Sequence, residues 1–128
     1  MRVAGNVLSH DVMGSFQYAG VHLETSLFVI LRHDECGAVK AALATKLRGH
    51  RERSRIQALV DRIVDSLPEP DPSSSPEDQL ASAVEANVRA TMRQVLDTPE
   101  GKARQEEGRI KLVGAICDIT TGKVRILS

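Results

Sequence analysis

The chain has no tryptophan, one tyrosine and two phenylalanines, so aromatics make up 2% of its 128 residues. Platforms that stack nucleobases are built from such rings, and this sequence has too few to build one. Excess charge of either sign is missing too, because 17 lysines and arginines balance 17 aspartates and glutamates. That balance removes the electrostatic case for nucleic acid or an anionic membrane as partner. Two cysteines are too few for a disulfide framework and suit a reducing, cytoplasmic setting. No apolar run approaches the roughly 20 residues that span a bilayer. Arg2 is not followed by the apolar core of a signal peptide. The length suits a single domain with one core, residues 1–128.

The most informative stretch is residues 26–43, Ser-Leu-Phe-Val-Ile-Leu-Arg-His-Asp-Glu-Cys-Gly-Ala-Val-Lys-Ala-Ala-Leu. Five consecutive apolar residues, 27–31, are too few for a buried helix and predict a strand covered on both faces. From Cys36 onward the composition is helical. The turn between strand and helix carries His33, Asp34, Glu35 and Cys36. In open α/β sheets the functional crevice lies at the carboxyl ends of the strands. A cysteine in the first turn of a helix also has its thiolate favoured by the helix dipole. His33 and Cys36 are therefore candidate metal ligands. Two ligands do not make a zinc site, since a catalytic zinc takes three protein ligands and keeps one position open. A solvated histidine beside a small buried cysteine is the plain alternative.

The rest of the chain reads as follows. Residues 1–8 are mostly apolar, broken by Gly5-Asn6, and suggest a frayed terminus or a short edge strand. Ser9 or Asp11 is placed to cap a helix running to about Leu23, with Val12, Phe16, Ala19 and Leu23 on its buried face. His10 and Asp11 are then capping or solvated residues, and extra metal ligands only if this loop folds toward Cys36. Tyr18 is expected to pack, not to react. Residues 45–55 are rich in lysine and arginine, include His50, and read as a solvated face. Ile56, Leu59, Val60, Ile63, Val64 and Leu67 recur at helical spacing. Residues 68–76 hold Pro68, Pro70, Pro72 and Pro76 around a serine run, an internal loop by composition. Pro76-Glu77-Asp78 opens a helix to about Leu96, and a short helix follows to Glu107, ended by Gly108. Residues 110–119 predict a strand, 120–123 a turn and 124–127 a returning strand. The fold class is α/β, a mostly parallel sheet flanked by helices with a C-terminal hairpin.

Five segments carry a further likeness: Arg2-Val3-Ala4-Gly5-Asn6, Gly14-Ser15-Phe16-Gln17-Tyr18-Ala19, the stretch from His33 to Leu43, Ala83-Val84-Glu85-Ala86-Asn87-Val88, and the stretch from Val113 to Val124. In order and spacing they resemble the β-class carbonic anhydrases, over nearly all of the chain except about residues 45–78. The resemblance implies the family's α/β fold, zinc held by His33 and Cys36, and the Gly37 backbone helping to hold the substrate anion. It implies reversible hydration of CO2 to bicarbonate, and a homo-oligomer, dimeric or higher. It also makes residues 1–8 the end of a sheet strand and a loop close to the site.

One family segment is not found. Family members carry an earlier strand ending in Cys-x-Asp-Ser-Arg, whose cysteine is the third zinc ligand and whose Asp-Arg dyad controls access to the metal. No such motif occurs in these 128 residues. By family topology the missing N-terminal strand is a central one, so two sheet edges lose a neighbour and must be paired or covered. A rearranged N-terminus or a homodimer is expected. Cys117, His10, His22 and Asp34 are the in-chain candidates for a third ligand. Cys117 reads first as an apolar filler and His22 as helix surface. His33 and Cys36 contributed by two subunits would form a closed, structural zinc site. An incomplete ligand set weakens a mechanism in which zinc lowers the pKa of bound water from about 15.7 to near 7.

The expected function is a carbonic-anhydrase-like protein with an incomplete zinc site, impaired or inactive in CO2 hydration, serving as a metal- or anion-binding or assembly scaffold. No residue is assigned as catalytic. The rival reading is an active zinc enzyme with an unconventional third ligand. A third is a start upstream of Met1 that restores the missing segment.

Overall fold

In the computed structural model, which describes residues 1–127, most helix starts fall where the sequence supplies a side-chain cap. Ser9 accepts a hydrogen bond from the Val12 N–H and opens α1, His10–His22. Strand β1, Leu27–His33, leads into α2, Gly37–Arg48, which ends on Gly49 in the left-handed conformation. Helix α3 spans Arg55–Val64. Ser75 accepts from the Asp78 N–H and opens α4, Pro76–Leu96; Thr98 accepts from the Gly101 N–H and opens α5, Pro99–Glu106. Pro76 and Pro99 stand in the first turns, where a missing N–H leaves nothing unsatisfied. Strands β2, Lys111–Cys117, and β3, Val124–Leu127, complete the fold.

The sheet order is β1-β2-β3. Strand β1 runs parallel to β2, and β3 returns antiparallel as the expected hairpin. The α/β class read from the sequence holds, as helices packed against a small mixed sheet. Residues 1–8 form no strand. Ala4–Asn6 make a single 3-10 turn, with Gly5 at φ +59°, a conformation glycine adopts without penalty.

The expectation that β1 is covered on both faces is corrected by its burial, which alternates strictly along the strand. Phe28, Ile30 and Arg32 are buried, while Leu27, Val29 and Leu31 are between 43% and 55% exposed. Helices pack on the first row only. Ile30, Ile116 and Leu127 of the sheet meet Val39, Val60, Ile63, Val84 and Val88 in one core. Phe16 of α1 stacks on Phe28 with ring centroids 3.9 Å apart, beside Val95 and Ile110, in a second cluster. Gly114 lets α4 approach the sheet, because a Cβ there would lie 2.7 Å from Met92 Sδ and 2.9 Å from Val88 Cγ1. Residues 68–76 are a loop, and Leu67 before it and Leu80 after it belong to the same core. Among the described residues no helix is long and apolar enough to cross a membrane.

Candidate functional site

The parallel register of β1 and β2 sets His33 beside Cys117 at the carboxyl ends of both strands. Two hydrogen bonds fix the turns that follow. The Asp34 N–H donates to the Cys117 carbonyl at 3.0 Å, and the Asp34 carboxylate accepts from the Ile119 N–H at 3.0 Å. Over this platform the N-terminal turn is docked by Asn6, whose Nδ2 donates to the Leu31 carbonyl at 2.6 Å. Together these segments wall a cavity of about 400 Å³ lined by residues 2–6, Leu31, Arg32, His33, Cys36 and Cys117. The loop expected near the site is therefore there, as a 3-10 turn at Ala4–Asn6.

The cavity gathers three of the residues singled out from the sequence. His33 is exposed, and its Nδ1 hydrogen-bonds the Asp34 carbonyl. A carbonyl only accepts, so Nδ1 carries the proton of this contact and Nε2 is the ring nitrogen left free of it. Cys36 is the N-cap residue of α2 and is 5% exposed. Cys117 is half-buried, with Sγ 3.6 Å from the Asp118 carbonyl. Sharing a wall is not convergence. Among the described residues, no three His, Cys, Asp or Glu side chains form a group able to hold a metal ion. The described residues thus do not by themselves supply the three converging protein ligands that a catalytic zinc takes.

The other candidates lie elsewhere. His10 and His22 are exposed residues at the two ends of α1 and do not line the cavity. Asp34 spends its carboxylate on the hairpin turn. Gly37 is the exposed first residue of α2, where helix geometry leaves the N–H without an intrahelical partner. Tyr18 is 58% exposed, with its ring centroid 4.6 Å from that of His22, so it packs on the surface of α1 and not in the core.

Sequence reasoning missed Arg32. It is 4% exposed, on the same face as Phe28 and Ile30. One Nη donates to the Gly5 carbonyl and the other to Thr91 Oγ1 at 3.2 Å, while Nε has no partner. Burial pushes its pKa down to about 10, with the nearby Cys36 acting in the opposite direction, so the guanidinium stays charged at neutral pH. The signal was present: continuing the two-residue alternation past Leu31 puts position 32 on the buried face.

Comparison with known proteins follows from this geometry. The family model described as carbonic anhydrase matches residues 1–124. The carbonic anhydrase of Mycolicibacterium smegmatis is 39% identical over 67 residues, which are 52% of this chain and 32% of that protein. Carbonic anhydrase 1 of Escherichia coli O157:H7 is 31% identical over 133 aligned positions, covering 97% of this chain and 59% of that protein. Aligned segments thus span between a third and three fifths of these relatives' lengths. Among solved structures, a tetrameric β-carbonic anhydrase from Sordaria macrospora superposes with a TM-score of 0.85 at 19% identity, over 100% of this chain and 66% of that one. The Coccomyxa β-carbonic anhydrase in complex with acetazolamide superposes at 0.83 with 25% identity, over 99% of this chain and 59% of that one.

Proposed function

The chain belongs to the carbonic anhydrase family, in its β class, and from that premise we propose that it keeps the family scaffold around an incomplete zinc site. On this reading CO2 hydration is impaired or absent, and the cavity beside His33 and Cys36 binds a metal or small anion, or the protein serves assembly. The observation that carries the reading is the donor set. His33, Cys36 and Cys117 line one cavity, yet no three donors among the described residues converge. The Gly37 N–H is assigned to anion contact on family resemblance. A homo-oligomer, at its simplest a dimer, is supported by the uncovered apolar row Leu27, Val29 and Leu31. A reducing, cytoplasmic setting suits the two free cysteines.

The second reading is an active zinc carbonic anhydrase interconverting CO2 and bicarbonate. The register that sets Cys117 beside His33 favours it, because it puts one further donor next to that ring. Zinc content per chain, measured for the wild type and for the His33→Ala, Cys36→Ala double variant, followed by stopped-flow CO2 hydration, separates the two. Our reading expects zinc well below one per chain and little hydration. Stoichiometric zinc lost in the double variant, with efficient hydration, would establish the second.

A further inference from the structure

At the amino ends of β1 and β2, away from His33 and Cys117, α1 and α5 wall a second cavity of about 410 Å³. It shares no residue with the cavity beside Cys36. Its floor is the smaller core cluster, where Phe16 stacks on Phe28 beside Val95 and Ile110. Met13 adds a thioether to this lining. Four charged residues stand around it, and three are accounted for. Arg109 Nε pairs with Glu107 at 3.1 Å, and both are exposed. Glu100 is exposed in the first turn of α5, where the helix dipole favours its charge. Arg104 is half-buried and has no carboxylate partner among the described residues. One Nη donates to the Gly20 carbonyl at 3.1 Å, which ties the guanidinium to α1. Nε and the other Nη meet no protein acceptor and are not sealed off, so both donors stay open to solvent or ligand.

The chemistry of the walls narrows the ligand. Nε–H and the neighbouring Nη–H of an arginine form a fork that matches the two oxygens of a carboxylate. The bond to Gly20 holds the guanidinium in place before any ligand arrives. Phenylalanine rings and a thioether suit a flat aromatic group, which packs on ring faces and edges and on sulfur. A rigid ring also gives up less freedom on binding than a flexible chain does. We propose that this cavity binds an aromatic monocarboxylate, with its ring against Phe16, Phe28 and Ile110 and its carboxylate on Arg104. The site needs no metal, and it stands or falls separately from the reading of the His33–Cys36 cavity.

A chain without tryptophan leaves the emission of a naphthalene ring unobscured. The test therefore titrates the full chain into 2-naphthoate and follows fluorescence anisotropy, with 2-naphthalenemethanol as the neutral counterpart. The expected result is a saturable rise, with the alcohol bound about tenfold or more weakly. In 13C-methyl spectra Ile110 should shift on adding 2-naphthoate, while Ile119 and Ile126, exposed on the C-terminal hairpin, stay in place. Arg104→Gln should weaken 2-naphthoate about tenfold and leave the alcohol unchanged. No saturable rise, equal binding of acid and alcohol, or undiminished acid binding by folded Arg104→Gln overturns the proposal. So does an unmoved Ile110, or a shift of the hairpin isoleucines as large as that of Ile110. If the variant does not fold, the wild-type comparisons decide alone. The separate zinc measurement tests the functional reading, so the two can fail independently.

Discussion

His33 and Cys117 are registered partners across two parallel strands, each the last residue of its strand. Their neighbourhood is fixed by backbone pairing, so a substitution at either position tests donor chemistry with little change to the frame.

If the two thiols and the imidazole do not converge, Cys117→Ser leaves metal content almost unchanged. The measurement is zinc per chain after exhaustive dialysis. The expected outcome is a low value in both proteins, lowered further by His33→Ala. A near-stoichiometric wild type that loses its zinc in Cys117→Ser would make Cys117 a ligand.

Gly5→Ala should destabilise the fold by about 1–3 kcal/mol. Its φ is +59°, and the new methyl would lie 2.5 Å from Ile63 Cδ1, a fully buried core atom. The readout is the urea midpoint. An unchanged midpoint would mean that the N-terminal turn is not anchored where described, and with it the roof of the cavity.

Val29→Lys should reduce self-association. Val29 stands at the middle of the uncovered apolar row, 48% exposed. Sedimentation velocity over a range of concentrations is expected to show a wild-type oligomer and a variant shifted toward monomer. A wild type that stays monomeric throughout would remove the support for an oligomer built on this face.

Asp118 gives a pH dependence with a definite sign. N–H donation from Thr121 and Thr120, assisted by the Thr121 side chain, holds its carboxyl below the usual range. A pKa lowered by folding adds stability above the unfolded value of about 3.9 and loses it as pH falls through the folded value. Asp118→Asn should therefore melt below the wild type at pH 6, with the gap closing as pH drops under about 3.9. Glu85 is also lowered, chiefly by hydrogen bonding from Arg89, and Asp71 chiefly by hydrogen bonding from Ser73, so the informative quantity is the difference between the two proteins. A gap that does not change with pH would rule out this account.

The elements were legible because local chemistry wrote them: Ser9, Thr98 and the proline pair at 76 and 99 mark helix starts, and Gly122 marks the hairpin turn. The His33–Cys36 turn was legible through the switch from strand to helix. Two features were not. The run 27–31 is equally apolar on both sides, and hydrophobicity does not say whether a neighbour exists for each side; here only alternate residues have one. Arg32 was passed over because a charged residue at the end of an apolar run reads as the point where the strand meets water. Its head is instead held by Gly5 and Thr91, which lie 27 and 59 residues away in sequence. Contacts at that separation leave no local trace.

Asp34 fastens the His33–Cys36 turn to the hairpin through both its backbone N–H and its carboxylate. The hairpin tip is exposed at Thr121, well placed for chemical labelling. A fluorophore carried there would sit outside the cavity, on the hairpin that Asp34 ties to the His33–Cys36 turn.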